Sequence, residues 1–507
     1  MITLINVNSM IKITPYNETY IRVESSDEGL LMDIREYFTF FLPNYRYMPK
    51  FKAGIFDGKI RLLGRSGLIY KGLVGELIKF FQANDYEFSI DITLKNHNDL
   101  SMDQVRAYVD SLDLHGRGTK LDVRDYQYEA VYQALHHDRS LLLSPTASGK
   151  SLIIYSIIRW HIEQDHKILV VVPTTMLANQ LFTDFEDYSS ANGFDVEDNM
   201  SVLYSGKERV FDKPVVISTW QSLASMMKSD PKNFATVVNR TEVGVWDEAH
   251  SYKANIVLSV MEKFINTKYR VGTTGTIDDS KINGLVLQGL MGPVYKVIST
   301  KQLMDNGQIV HLDISCLMLM YPEHIRKEFK GMDYKEEINF LVGYEARNRF
   351  IARLAATVPG NTMVLFNFVE RHGKVLDTMI REITDRPVYF IHGKVDVEAR
   401  EEIRQLLNTH DNAIVVATSS LMSTGVNVVS LQNIVFATPS KSTIRVRQSI
   451  GRGLRLNEGK TVCRLFDISD DLSWKSWKNT TLKHLEDRLT IYAKEQFQFS
   501  IKKLPIG

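Results

Sequence analysis

Cysteine is almost absent: the 507 residues hold two, Cys316 and Cys463. Neither stands in a metal-ligand or redox spacing. A disulfide framework is therefore excluded as the basis of the fold, and a reducing compartment is the natural setting. No run reaches the roughly 18 apolar residues of a membrane helix. The N-terminus, MITLINVNSMIKITPY, lacks a long apolar core with a cleavage site, so no signal peptide is expected. Net charge is nearly absent as well, with 61 Lys and Arg against 60 Asp and Glu, so only local patches can speak of partners. Repeats and low-complexity stretches are also missing. What is present is 44% hydrophobic, enough for several cores, and the length suggests roughly three or four domains in a soluble, intracellular protein.

From about 120 onward, short β-branched runs alternate with longer amphipathic ones. Candidate buried strands are SLLLSP (140–145), KILVVVP (167–173), PVVIST (214–219), VGVWD (243–247), TMVLFNF (362–368), AIVVAT (413–418) and NIVFAT (433–438). Candidate helices are Lys150–Glu163, Thr175–Tyr188 and Val397–Leu407. Strands that alternate with helices predict parallel sheets covered on both faces. Two such groups are expected, one over 116–300 and one over 345–507, the second ending in a helical extension. The charge-rich stretch between them, 301–344, reads as a connector. Residues 1–115, with short strands, glycine turns and aromatics, read as a separate small α+β domain.

SPTASGKS (144–151) follows an apolar strand and opens an amphipathic helix, the setting of a phosphate-binding loop. The loop Pro145–Gly149 (Thr146, Ala147 and Ser148 between them), through its backbone N–H groups from Thr146 onward, and the positive helix end would hold phosphates, as would Lys150. Ser151 would ligate Mg²⁺. Ser144 replaces the first glycine of the strict motif, and an ordinary strand–turn–helix junction is the bland alternative. VGVWDEAH (243–250) ends a β-run on two acids. Asp247 suits Mg²⁺, and Glu248 suits accepting a proton from the attacking water. A helix cap by Asp247 would explain only one of the two.

DEAH after a phosphate loop resembles the superfamily 2 helicases and translocases, and their further motifs appear in order over about 120–460. TTGT (273–276) resembles the segment coupling hydrolysis to strand binding. ATSSLMSTGVNV (417–428) resembles the second motor domain's motif that touches both ATP and nucleic acid, through Gly425, Thr418 and Ser419. QSIGRGLR (448–455) resembles the arginine-finger motif, with Arg452 and Arg455 on one face if helical and Gln448 beside them. RDYQ (124–127) resembles the adenine-recognition element, in which Tyr126 would stack and Gln127 would bond the base edge; a core Tyr and a surface Gln remain the alternative.

At the strand ends, Pro173, Thr174 and Thr175, then Thr219 and Trp220, and in the second domain Phe366–Glu370, His392, Lys394, Thr418 and Ser419 occupy positions suited to a nucleic-acid backbone. Each could singly be a helix cap, and Trp220 could equally be core. Segment 49–71, PKFKAGIFDGKIRLLGRSGLIYK, holds Lys50, Lys52, Lys59, Arg61, Arg65 and Lys71 against one acid, Asp57, with Phe51, Phe56 and Tyr70 interleaved. That composition suits DNA or RNA; the solvated face of a β-hairpin with core aromatics is the alternative.

Together with RYMPKFKAGIFDGKIRLL (46–63) and GLVGELIKF (72–80), these motifs make the whole chain similar to the UvsW helicase family of T-even phages. The resemblance implies two RecA-like motor domains with ATP and Mg²⁺ between them, and a DNA helicase that remodels forks, four-way junctions and displacement loops in replication, recombination and repair. It also implies other recombination or replication proteins as partners and, for a phage-encoded chain, the host cytoplasm. The rivals are the translocase subunit of a restriction complex, for which no nuclease constellation is evident, an RNA helicase, and a DNA-binding protein with a dead motor. The presence of Lys150, Glu248 and Arg452 argues against the last.

Overall fold

The computed structural model describes residues 10–42, 45–95, 98–204, 211–251, 255–276, 281–392, 410–419, 431–438, 450–451, 454 and 460–507. The chain divides into two compact units, Met1–Ser144 with Gly149–Val297, and Ile298–Gly507 with Pro145–Ser148.

The first unit opens with six short strands: β1 (Ile11–Pro15), β2 (Tyr20–Glu24), β3 (Thr39–Phe41), β4 (Lys59–Arg61), β5 (Leu68–Tyr70) and β6 (Phe88–Ile90). Four form a mixed sheet in the order β5-β2-β1-β6, while β3 and β4 pair with each other. In β1 the period of two is plain, with Ile11 and Ile13 buried and Lys12 exposed. Helices Glu28–Tyr37 and Val74–Ala83 set Ile34, Leu77 and Phe81 on that apolar face. The same apolar cluster runs on to Leu285, Leu290 and Met291. The N-terminal sheet thus shares a core with the motor that follows.

A two-strand ladder, β7 (His115–Gly116) with β8 (Thr119–Lys120), leads into the motor sheet. Its strands are β9 (Arg139–Leu143), β10 (Ile168–Val172), β11 (Met200–Leu203), β12 (Val215–Thr219), β13 (Val243–Trp246), β14 (Tyr269–Thr274) and β15 (Val294–Lys296). All are parallel, in the order β11-β12-β10-β13-β14-β9-β15. Every residue of β10, β12 and β13 is buried, as a sheet covered by helices on both faces requires. Helices Lys150–Glu163 and Thr175–Tyr188 have the bounds read from the sequence.

The second unit repeats the plan with β16 (His311–Met320), β17 (Thr362–Phe366), β18 (Val388–Ile391), β19 (Ile414–Thr418), β20 (Asn433–Phe436), β21 (Val462–Asp471) and β22 (Phe499–Pro505), ordered β18-β19-β17-β20-β21-β16-β22 and all parallel. Two ion pairs lie inside it: Arg347 with Asp470, and Arg488 with Asp467, all four fully buried. Tandem RecA-like α/β sheets with a small N-terminal α+β element are therefore the architecture.

Two corrections follow. The stretch 301–344 is not merely a connector, because it carries β16, ten residues long and paired on both edges with β21 and β22. The alternation HLDISC hid it, since only alternate residues face the core. The C-terminal extension is likewise not only helical: helix Thr480–Lys494 is followed by edge strand β22. The candidate helix Val397–Leu407 lies outside the described residues.

Candidate functional site

The C-terminal ends of β9, β10, β12, β13 and β14 lie along one edge of the first sheet, where open parallel sheets present their ligand sites. From β9, Ser144 donates its N–H to Thr274 O on β14 at 2.8 Å, which fixes the start of the loop. The chain then turns through left-handed conformations at Ala147 (φ 69°) and Gly149 (φ 81°) before Lys150 opens the helix. Gly149 is the N-cap and provides no side-chain acceptor. A helix start with no side-chain cap, after left-handed residues at 147 and 149, turns its first-turn N–H groups toward the loop, the geometry that favours an anion. A Cβ at Gly149 would lie 2.2 Å from Gln127 Nε2, so the loop packs on that amide and only glycine fits.

Lys150 Nζ donates to Glu248 Oε1 at 2.7 Å, so the loop's lysine and the second acid of the DEAH string are held together. Glu248 Oε2 lies 3.2 Å from His250 Nδ1, which also bonds Thr274 Oγ1 at 2.8 Å. Next to it, Thr273 Oγ1 donates to Asp247 Oδ1 at 2.6 Å. Burial pushes the Asp247 carboxyl above its ordinary range, against the pull of Lys150, and the adjacent Glu248 adds to the rise. Glu248 itself holds a left-handed backbone (φ 51°), an uncommon state for a residue with a Cβ and one concentrated at functional sites. Ser151 Oγ, on the second residue of the helix, is 2.7 Å from Tyr188 Oη.

Gln127 is buried, and its Oε1 accepts the Arg124 N–H at 3.0 Å. Its first role in the fold is to brace the loop. Tyr126 is half-buried, and its hydroxyl accepts from Arg124 Nη1 at 2.9 Å.

Along the same edge, Thr174 and Thr219 cap the helices after β10 and β12, accepting from Leu177 N at 3.3 Å and Ser222 N at 3.2 Å. Thr175 is exposed. Trp220 is half-buried and packs one side against the core of the unit. Gln221, not singled out by motif, donates to Pro173 O at 3.0 Å and ties the two strand ends together. Thr273, His250 and Tyr188 were also not singled out; the quoted TTGT and DEAH strings held the first two, and no local signal marked Tyr188.

In the second unit, Ser419 N donates to Phe366 O at 2.8 Å, joining the ends of β19 and β17, and Thr418 closes β19. His392 follows β18, its ring 5.4 Å from Phe390. Phe366 is core, stacked 5.5 Å from Phe390. Lys394, Gly425, Gln448, Arg452 and Arg455 lie outside the described residues.

Segment 49–71 is not one hairpin. Pro49–Lys52 is a short helix, β4 pairs with β3, and β5 pairs with β2. Lys50, Lys52 and Arg65 are exposed, and Lys59 is half-buried with its ammonium over the Phe41 ring at 5.0 Å. Arg61 is ion-paired with Asp57, whose carboxyl that guanidinium holds down at about 2. Lys71 leaves the basic surface, since it pairs with Glu18 at 2.7 Å. Tyr70 is not a surface aromatic either: it stacks on Tyr20 and donates its hydroxyl to Glu262 on the motor.

Comparison with known proteins agrees with this arrangement. A family model described as "DNA helicase UvsW, N-terminal" matches residues 10–91. "Type III restriction enzyme, res subunit" matches 120–279, and "Helicase conserved C-terminal domain" matches 346–457. The ATP-dependent DNA helicase uvsW of Enterobacteria phage T4 is 32% identical over 506 residues, covering 97% of this chain and 99% of that protein. The crystal structure of T4 UvsW covers 98% of this chain and 99% of its own, with 30% identity and a TM-score of 0.52. The ATP-dependent Type ISP restriction-modification enzyme LlaBIII, solved bound to DNA, covers 84% of this chain and 34% of its own at 15% identity and a TM-score of 0.55, a likeness of fold alone.

Proposed function

The chain belongs to the UvsW family of superfamily 2 DNA helicases, and from that premise we propose that it spends ATP to unwind or branch-migrate forked and junction DNA. It is an ATP-dependent helicase by family. The observation that carries the proposed site is the cluster of Lys150, Glu248, Asp247 and Thr273 beside a capless helix start. In this reading the loop 145–149 cradles the phosphates, and Lys150 leaves Glu248 for the β- and γ-phosphates. Glu248, so released, orients and deprotonates water. Tyr126 faces the adenine. By resemblance of their motifs, Arg452, Arg455, Gln448 and Gly425 would also act on the nucleotide.

The donor set suits Mg²⁺, a hard cation that takes oxygen ligands: the Asp247 carboxylate and the Ser151 hydroxyl. When bound, the ion neutralises charge on the phosphates. A hydroxyl on a cation becomes a stronger donor, and Tyr188 Oη at 2.7 Å is placed to accept from Ser151. Tyr188→Phe keeps the ring but loses this support. It is expected to raise the Mg²⁺ concentration for half-maximal ATPase by about 10-fold, as loss of such outer partners does. An unchanged or lower requirement in a Mg²⁺ titration counts against the assignment.

Nucleic acid would run along the strand ends, over Pro173, Thr174, Thr175 and Thr219 in one unit and His392, Lys394, Thr418 and Ser419 in the other. Hydroxyls and amides there touch backbone and carry no sequence information. Residues 1–115, with Lys50, Lys52, Lys59, Arg61 and Arg65, would hold a second arm of the substrate. A phage relative points to the cytoplasm of a bacterial host as the place of action. The test is ATPase and binding over single-stranded, duplex, forked and four-way DNA and structured RNA, at several salt concentrations. Branched DNA should stimulate most, scrambled sequences should bind alike, and affinity should fall steeply with salt. Preferential stimulation by RNA, or a strong preference for one DNA sequence, overturns the reading.

A further inference from the structure

Two helices of the second unit, Tyr334–Gly343 and Glu345–Thr357, meet at a one-residue corner, Tyr344. The second helix runs to the start of β17, so the corner lies at the end of the sheet where the parallel strands finish. That is the edge on which Phe366 and Ser419 are joined. A cleft of about 590 Å³ opens at the corner, and Asn339, Phe340, Gly343, Tyr344, Glu345 and Arg349 line it. Its size is that of a small-molecule site, roughly 300–1,000 Å³. The apolar wall is aromatic and braced. Phe340 and Tyr344, both half-buried, lie 5.1 Å apart. Phe329 packs on Phe340 at 3.9 Å, and Tyr321 on Tyr344 at 5.3 Å. Tyr321 is itself fixed, since its hydroxyl donates at 2.8 Å to Asp470, the buried partner of Arg347.

The rim is polar. Arg349 pairs with Glu345. Arg371, from the segment after β17, donates to Asn339 Oδ1 and lies over the Phe368 ring at 3.9 Å. An amide and a ring hold that guanidinium in place without cancelling its charge. Braced rings beside such a cation suit a flat group carried on an anionic chain. A nucleobase with its phosphate is that group: the base stacks and the phosphate meets the guanidinium. An apolar peptide would leave Arg371 unanswered, and a free anion would leave the rings unused. Bases in continuous duplex are covered on both faces by their neighbours, so the base that fits is one of a single strand.

We propose that this cleft receives one unpaired base of the strand that runs along the sheet edge, with Phe340 and Tyr344 stacking on the base and Arg371 holding the adjoining phosphate. This rests on the reading that nucleic acid follows the strand ends, and it adds a base contact to a track otherwise made of backbone contacts. Every base has a π-face, so the contact adds affinity without sequence preference.

Gly343 offers a way to block the cleft. It ends its helix outside the left-handed region, and a Cβ there would meet no atom within 4 Å. Leucine at 343 therefore fills open space without strain, and as a better helix former than glycine it should not cost stability. Tyr344→Leu works from the other side, keeping an apolar group and removing the ring. The full chain, Gly343→Leu and Tyr344→Leu are each titrated, across salt, with a DNA single strand and with the same strand carrying a central run of abasic sites. The parent should bind the intact strand on the order of 10-fold more tightly than the abasic one. Both variants should bring the two affinities together with an unchanged salt slope, because no charge is altered. Equal binding of the two strands by the parent, or a parent-like ratio in either variant, overturns the inference. Steep salt dependence on both strands would then leave the strand-end reading standing, and binding that ignores salt would remove that reading too. Urea unfolding midpoints establish that each variant is folded under the conditions of the titration.

Discussion

Glu248→Gln is expected to bind ATP about as well as the parent chain and to hydrolyse it roughly 10²- to 10⁴-fold more slowly. The amide would keep the volume of the side chain and an oxygen for Lys150 Nζ, now 2.7 Å from Oε1. What is lost is a carboxylate able to take a proton. The geometry favours this division of labour. Glu248 sits in a left-handed backbone at the end of β13, which holds its carboxylate between Lys150 and His250, while Asp247 is held by Thr273 on the neighbouring strand. Asp247 also feels the pull of Lys150, but it is to Glu248 Oε1 that Nζ donates, the contact that ATP would draw away. Lys150→Ala makes the contrast, because it removes the phosphate partner and should weaken nucleotide binding as well as turnover. Nucleotide affinity and single-turnover hydrolysis measured on both variants separate the roles. A Glu248→Gln variant that hydrolyses at the parent's rate would falsify the assignment.

How much of this could be read beforehand depended on how local the cause was. Strands β10, β12 and β13 are buried on both faces, so their β-branched runs announce them, and the helices after β9 and β10 begin where a turn and a cap dictate. The loop and the two acids were legible because phosphate chemistry demands a glycine, a lysine and a carboxylate at fixed places along the chain. Strand β16 was not, because half its residues face away from the core and its partners β21 and β22 lie more than a hundred residues downstream. The fates of Tyr70, Lys71 and Trp220 were equally hidden. An interleaved aromatic or lysine looks the same in sequence whether it meets solvent or another element, and for Tyr70 and Lys71 the joint between the N-terminal sheet and the motor decides.

That joint supplies the second large effect. Arg270→Ala is expected to destabilise the first unit by about 3–5 kcal/mol. Arg270 is fully buried at the start of β14, and its guanidinium donates to Thr19 Oγ1 at 2.8 Å and to the carbonyls of Phe264, Thr267 and Leu290. Beside it, Arg139 of β9 donates to Glu18 Oε2 at 3.0 Å and shares the Leu290 carbonyl. Burial, and each arginine's effect on its neighbour, push the Arg270 guanidinium well below its ordinary range. Burial alone would raise the Glu18 carboxyl, but Lys71 and Arg139 hold it below its ordinary range. Around them the backbones close up: a Cβ on Gly72 would lie 2.2 Å from Gln288 O of the motor helix Lys281–Met291. Alanine at 270 leaves a cavity and strands acceptors from both domains; lysine should not rescue it, since one ammonium cannot reproduce the planar fork. Glu18→Ala should cost less, because Glu18 keeps some solvent contact, with 28% of its side chain exposed. Urea unfolding of the full chain, followed by hydrogen exchange at β1 and β14, measures this. An Arg270→Ala chain that unfolds at the parent's urea concentration refutes it. The same joint explains why removing residues 1–115 is a poor probe of DNA targeting. It would strip Glu18 and Thr19 from two buried guanidiniums, and β14 runs from one of them to Thr273, which holds Asp247. Loss of ATPase in such a truncated chain would report damage to the nucleotide site rather than loss of a DNA arm.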